Sequence, residues 1–301
     1  MSKTAGRGWL VLYLALGLIW GSSFFLIHEV LHAIPPIGMS FWRCALGALT
    51  MLVIVLLSRT KILLNLRRVL LIGAGGMFMN GIPWMLFGYA QSHVTSILAS
   101  IINGATPIMT LIALMTIFRS EKVKLHVIIG ILIGAVGLMI ALAAWQGFGE
   151  NDPLSIAALG GAIACYGIGG PYIRKYVTPL GVPNTVTSLV QLGVSTVFVL
   201  PFYLFTGPLF VGEVTTSIAL AMFALGAVGS GIAYVFYYRV IAEAGSAIAN
   251  TVTYITPLVA VFLGVLVLGE PLYWYEPVGA VVVILGAAIS QGYLTRKARA
   301  A

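Results

Sequence analysis

Residues 96–107 read SILASIINGATP, and 150 positions later residues 246–257 read SAIANTVTYITP. Ser96, Ala99, Thr106 and Pro107 fall on Ser246, Ala249, Thr256 and Pro257. The same shift lays Ala74, Gly76, Gly81 and Ile82 on Ala224, Gly226, Gly231 and Ile232. With a one-residue gap, Glu121, Gly130 and Gly137 meet Glu270, Gly279 and Gly286. Glycine and Thr-Pro recurring at fixed places in corresponding segments mark an internal repeat of half the chain.

The solvent of the chain decides what each repeat contains. The 301 residues are 60% hydrophobic and 8% charged, with a mean hydropathy of +1.06. A soluble domain carries about a quarter charged residues, so lipid is the main solvent here. Thirty-five Gly and thirteen Pro suit close-packed, locally broken membrane helices. A span takes about 20 apolar residues. On that rule the chain holds ten spans, at 9–28, 36–57, 67–90, 94–118, 125–145, 154–175, 184–206, 215–241, 245–268 and 275–294. Lys3 and Arg7 precede the first without a small-x-small cleavage site, so it reads as a retained helix rather than a signal peptide. Five spans per repeat is an odd number, so the second repeat enters the membrane from the opposite side. The expected fold is an all-α polytopic membrane protein, with two inverted five-helix repeats (1–148 and 149–301) around a central cavity. Inverted repeats place a site near the midplane, and rocking about it gives alternating access.

Loop charges agree. With a cytoplasmic N-terminus, the inner segments hold Lys3, Arg7, Arg59, Lys61, Arg67, Arg68, Arg119, Lys122, Lys124, Arg174, Lys175, Arg239, Arg296, Lys297 and Arg299. Only Arg43 of the basic residues is left over, and the outer segments hold Glu29, Glu150, Asp152, Glu213, Glu270 and Glu276. This positive-inside bias predicts cytoplasmic termini and a bacterial-type inner membrane. It also accounts for the net charge of +8 without a nucleic-acid partner.

With these residues the chain resembles the drug/metabolite transporter superfamily, in its ten-helix, double-EamA-domain branch. The resemblance rests on Ile19-Trp20-Gly21-Ser22-Ser23, Arg43, Thr106-Pro107, Thr256-Pro257 and Leu268-Gly269-Glu270-Pro271. Within the superfamily it looks like the YddG-type amino-acid exporters. The first half departs from the pattern, reading Phe118-Arg119-Ser120-Glu121-Lys122 where Leu-Gly-Glu is usual. The resemblance implies a helical basket whose cavity is lined by helices 1, 3, 4, 6, 8 and 9, and transport of small organic solutes without ATP.

Polar residues inside spans face a partner helix or a cavity. Asn80 and Trp84, then Ser96, Ser100 and Asn103, form a stripe at helical spacing, repeated by Ser230, Tyr234 and Tyr238, then Ser246, Asn250 and Thr253. Tyr254 adjoins the second set, and Trp20 matches Tyr166 across helices 1 and 6. Two readings fit: a cavity of amides, hydroxyls and aromatic walls for a zwitterion, or hydrogen-bonded contact between helices. Pro107 and Pro257 each remove one backbone hydrogen bond, kinking their helix for packing or freeing a carbonyl for a substrate ammonium. Arg43 either snorkels or pairs with Glu29, or it lines the outer mouth and draws carboxylates. The stripe Gly130, Gly134 and Gly137, with Gly279 and Gly286, reads as close packing within the fold or in a weak homodimer.

No acid lies deep within a span, which argues against proton coupling and for facilitated diffusion. His28, His32, His93 and His126 read as solvated span ends. The chain shows no paired carboxylates, no metal-ligand histidine cluster and no phosphate-binding loop, so neither an enzyme nor a cofactor or metal is expected. The expected partners are a small-molecule substrate, an amino acid or similar metabolite, and the bilayer. A nucleotide-sugar carrier would need more embedded cations, and a cationic-drug exporter a buried carboxylate.

Overall fold

The computed structural model describes residues 8–62, 64–119, 125–146, 152–244, 249 and 251–290. All secondary structure among them is helical. Ten apolar helical segments follow one another: α1 (Gly8–Leu31), α2 (Pro36–Leu57), α3 (Leu66–Gln91), α4 (Ser96–Thr116), α5 (Leu125–Ala141), α6 (Pro153–Leu180), α7 (Asn184–Phe205), α8 (Thr216–Glu243), α9 (Thr256–Leu266) and α10 (Tyr275–Ser290). Seven are long and apolar enough to cross a membrane; α5, α9 and α10 are apolar but shorter. Large apolar side chains such as Leu57, Leu132, Val197 and Phe262 point outward, as lipid solvation allows. Lys3, Arg7, Lys122, Lys124, Arg296, Lys297, Arg299, Glu121, Glu150 and Ser246 lie outside the described residues.

Helix starts follow capping chemistry. The Asn65 side chain accepts from Arg68 N at 2.9 Å, and Thr215, its counterpart 150 residues on, accepts from Ile218 N at 3.4 Å. Asp152 caps α6 through Ser155 N at 2.8 Å and Ser155 Oγ at 2.7 Å. Those two bonds hold its carboxyl below the ordinary carboxylate range. Helix ends use the left-handed region. Gly269 ends α9 with φ 66°, and Arg119 stands after α4 with φ 48°. At the departure from the family pattern, Arg119 is thus held in the region where glycine is at ease, and residues 120–122 lie outside the described residues.

Pro107 and Pro257 are not in helix interiors. α4 breaks at Gly104–Ala105, and a new helical segment starts at Thr106 with Pro107 in its first turn. A short 3₁₀ turn, Thr251–Tyr254, precedes α9, with Pro257 in its first turn. A proline loses nothing at such a start, so each Thr-Pro restarts a broken helix. Two π-helical stretches match in the same way, Met77–Gly81 within α3 and Ala224–Ile232 within α8.

The packing survives exchange of the first five helices with the last five. α1 packs on α8 and α9, and α6 on α3 and α4. α2 packs on α8, and α7 on α3. The pairs α2–α7, α4–α9 and α5–α10 map onto themselves. Along α5–α10 the glycines meet. A methyl on Gly137 would stand 2.6 Å from Val283 N, and one on Gly286 would stand 2.7 Å from Gly130 O. The glycine stripe thus packs α5 against α10 within one chain, the first of the two readings its spacing allowed.

Glu270, just after α9, reaches the start of α4 in the other half. Its carboxylate accepts from Ser96 N at 2.8 Å, Ser96 Oγ at 2.9 Å and Ile97 N at 3.2 Å. A carboxylate at a helix N-terminus meets both free amides and the positive end of the dipole. α4 is 21 residues long, about 30 Å at 1.5 Å per residue. Glu270 and Arg119 therefore sit at opposite ends of it. Lys175 lies 5.8 Å from the Phe118 ring, bringing the basic end of α6 to the Arg119 end. Exposed Trp145 and Trp274 stack at 5.8 Å beyond Glu270, the amphipathic pairing favoured at a lipid–water boundary.

Candidate functional site

Where α2, α3, α6 and α8 meet, the chain buries one charge. Arg43 is 7% exposed. Its Nε donates to Ser230 Oγ at 3.0 Å, and its guanidinium carbon lies 4.1 Å from the centre of the Trp84 ring. Close approach of α2 and α8 makes this possible: a methyl on Gly47 would stand 3.1 Å from Ser230 Cβ. Ser230 belongs to the π-helical stretch of α8, where the altered backbone pitch turns it toward α2. The sequence reading offered Arg43 snorkelling, a bond to Glu29 or a place at the outer mouth. The bond to Glu29 is not made. Glu29 lies 3.8 Å from His28, and no carboxylate pairs with Arg43 among the described residues.

Aromatic residues surround the arginine. Trp84 packs with Tyr166 and Tyr234 in one cluster. The Tyr234 hydroxyl donates to Asn80 Oδ1 at 2.6 Å. Trp20 Nε1 donates to the Gly229 carbonyl at 3.1 Å, and its ring meets Tyr234 edge-on at 6.4 Å. Tyr238 stacks on Tyr234 with ring centres 6.4 Å apart. Eight predicted residues thus converge: Trp20, Arg43, Asn80, Trp84, Tyr166, Ser230, Tyr234 and Tyr238. They come from α1, α2, α3, α6 and α8. Asn80 is fully buried, and its Nδ2 lacks a hydrogen-bond partner among the described residues.

Of the predicted set, Ser100 and Asn103 bond within α4. Ser100 is buried and donates to Ile97 O at 2.7 Å on its own helix. Asn103 is half-buried and accepts from Thr106 Oγ1 at 3.5 Å. The Thr253 carbonyl accepts from Thr256 Oγ1 at 3.0 Å. Asn250 and the side chain of Tyr254 lie outside the described residues. Two surface clefts, of about 480 and 370 Å³, are walled mainly by apolar groups, and neither is lined by any of the eight. Of the eight, Arg43, Asn80, Trp84 and Ser230 are buried, and Trp20, Tyr166, Tyr234 and Tyr238 are half-buried.

Sequence reading missed a second polar row. On α7, Ser188, Gln191 and Ser195 are each at most 1% exposed, and Gln191 Nε2 and Ser195 Oγ make no hydrogen bond among the described residues. Their spacing of three and four residues was a visible signal of one buried face. They face the glycines of α3: Gln191 Nε2 lies 3.3 Å from a methyl placed on Gly75, and Ser195 Oγ 3.5 Å from one on Gly81.

The EamA-like transporter family profile matches this chain twice, over residues 7–143 and 154–291. The transporter YyaM of Bacillus subtilis (strain 168) is 24% identical over 300 residues, covering 94% of this chain and 93% of that protein. The inner membrane transporter YedA of Escherichia coli (strain K12) is 28% identical over 281 residues, covering 91% and 88%. The protein PagO of Salmonella typhimurium is 27% identical over 254 residues, covering 84% and 83%. A crystal structure at 18% identity superposes with a TM-score of 0.67, over 96% of this chain and 98% of the other, so the fold is a known one. With two profile matches spanning nearly its whole length, the chain belongs to the EamA-like transporter family and is a multi-pass membrane transporter of small molecules.

Proposed function

We propose that the transported molecules carry a carboxylate, amino acids above all, and that Arg43 is the group that holds it. One observation carries this reading: a buried guanidinium with a hydroxyl on one edge, an indole on its face and no carboxylate partner among the described residues. Burying an unpaired charge costs several kcal/mol. A substrate carboxylate supplies the missing partner, in the paired geometry that arginine favours. Trp20, Trp84, Tyr166 and Tyr234 then form walls for a variable side chain, and the free Asn80 Nδ2 offers a donor. The resemblance to YddG-type amino-acid exporters points the same way.

In this reading residues 1–148 and 149–301 are inverted repeats that rock about the cluster without ATP. The exchange-symmetric packing supports it, as do Arg119 and Glu270 at opposite ends of α4. The termini are cytoplasmic in a bacterial inner membrane, and substrate runs down its own gradient. Counterflow in proteoliposomes loaded with a labelled neutral amino acid tests the reading. Unlabelled amino acids are expected to compete and their methyl esters to fail. Esters competing as well as acids would remove the carboxylate from recognition. Uptake that collapses when a pH gradient is dissipated would remove uncoupled transport.

A further inference from the structure

The last turns of α1 read His28-Glu29-Val30-Leu31-His32. This is the pattern H-E-x-x-H, in which two histidines one helical turn apart share a face that can hold zinc. The three polar side chains converge. One ligand atom from each of His28, Glu29 and His32 lies within 4.8 Å of the others, and the two imidazole rings are 5.0 Å apart. Both histidines stand at the partly exposed end of α1, and the helix, continuing through Leu31, keeps both rings on one side.

We propose that His28, Glu29 and His32 form a binding site for a transition-metal dication of the zinc class. Each side chain is set up for it differently. His32 Nδ1 lies 3.1 Å from the His28 carbonyl and 3.3 Å from that of Glu29. A backbone carbonyl on Nδ1 fixes the proton there and leaves Nε2 as a lone pair, the usual arrangement behind a metal-ligating histidine. His28 Nδ1 is shut off from solvent and makes no hydrogen bond among the described residues. Its nearest charged atom is Glu29 Oε1 at 3.8 Å. That is too long for a hydrogen bond. It is close to the ~3.4 Å between ligand atoms that each stand about 2.1 Å from a tetrahedral zinc. His28 and Glu29 are 35% and 34% exposed, so a cation can enter and keep a water as its fourth ligand. Imidazole with one carboxylate selects zinc, copper or nickel over magnesium and calcium, which prefer all-oxygen shells.

The neighbouring backbone braces the site. Val211 N donates to Ala33 O at 2.9 Å, and a methyl on Gly212 would stand 2.6 Å from the His32 carbonyl. The segment before α8 thus pins the end of α1, holding the ligands in place before any cation arrives. None of these residues belongs to the Arg43 cluster, so the site stands or falls apart from the carrier's substrate.

Purified full-length protein in detergent, with any affinity tag removed, is titrated with ZnCl₂ in competition with a chromophoric chelator. One equivalent is expected to bind, and His28→Ala and His32→Ala should each weaken it at least about tenfold, as lost ligands do. Glu29→Gln should weaken it less, and His93→Ala and His126→Ala should leave it unchanged. MgCl₂ in excess should not displace the zinc. The variants sit at a partly exposed helix end, so their size-exclusion profiles should match the parent. No bound zinc, or equal affinity in the parent and His32→Ala, would overturn the assignment. A loss in His93→Ala or His126→Ala as large as in His32→Ala would do the same.

Discussion

The two π-helical stretches occupy the same place in the two halves and do different work. Met77–Gly81 in α3 presents Asn80 and lies against α7, where Gln191 and Ser195 are neutral. Ala224–Ile232 in α8 presents Ser230 and lies against α2, where Arg43 carries the charge. The backbone architecture is shared and the electrostatics are not. Near-symmetric halves suit a rocking motion, whereas a substrate with two different ends needs an asymmetric site. Under the proposed function, one cation on one side would supply that asymmetry without disturbing the scaffold.

The sharpest way to break this comparison is to neutralise its charged side. Arg43→Gln should lower uptake into proteoliposomes by about 10- to 100-fold, the equivalent of a charge-assisted contact of about 1.5–3 kcal/mol. Gln191→Leu, on the neutral side, should change it by less than about threefold. Equal losses would mean that the charge has no special role. A smaller effect separates corresponding glycines. A methyl on Gly231 would stand 2.7 Å from Thr50 Cβ, whereas one on Gly81 meets nothing closer than 3.5 Å. Gly231→Ala should cost about 1–3 kcal/mol by overpacking. Gly81→Ala should be neutral or stabilising by up to about 1 kcal/mol, since alanine is the better helix former. Unfolding in mixed detergent–denaturant titrations checks both signs.

The smallest expected effect concerns the turns after α4 and α9. Gly269→Ala should destabilise by about 1 kcal/mol, because it places a side chain at φ 66°. Arg119→Gly relieves the same strain at φ 48°, but frees the unfolded chain as well. It should gain at most about 1 kcal/mol in thermal melts. A large loss in Arg119→Gly would instead show that its side chain, rather than its backbone, matters at that end.

The helices were legible because apolar length answers to the solvent, and lipid leaves few alternatives. The repeat matched Asn80 with Ser230 and Trp84 with Tyr234 by position, and the structure joins Asn80 to Tyr234 and Ser230 to Arg43. Depth was harder to read. Arg43 sits about two turns into its span, and counting turns put it near a headgroup. Its burial comes from Gly47 and Gly226, which draw α2 and α8 together, a long-range effect. Pro107 misled for a local reason, since a hydropathy window runs through the break at Gly104–Ala105. The α7 polar row and the histidine pair of α1 were both readable by spacing alone, and the apolar background hid them.

The glycine seam between α5 and α10 has a consequence for biogenesis. α5 ends at Ala141 and α10 begins at Tyr275. At about 5–20 residues per second, a ribosome takes roughly 7–27 s to supply the missing partner. Throughout that interval the bare groove of α5 is filled only by acyl chains or by the insertion machinery. A nascent chain stalled before its last helix therefore exposes a ready mark for membrane quality control.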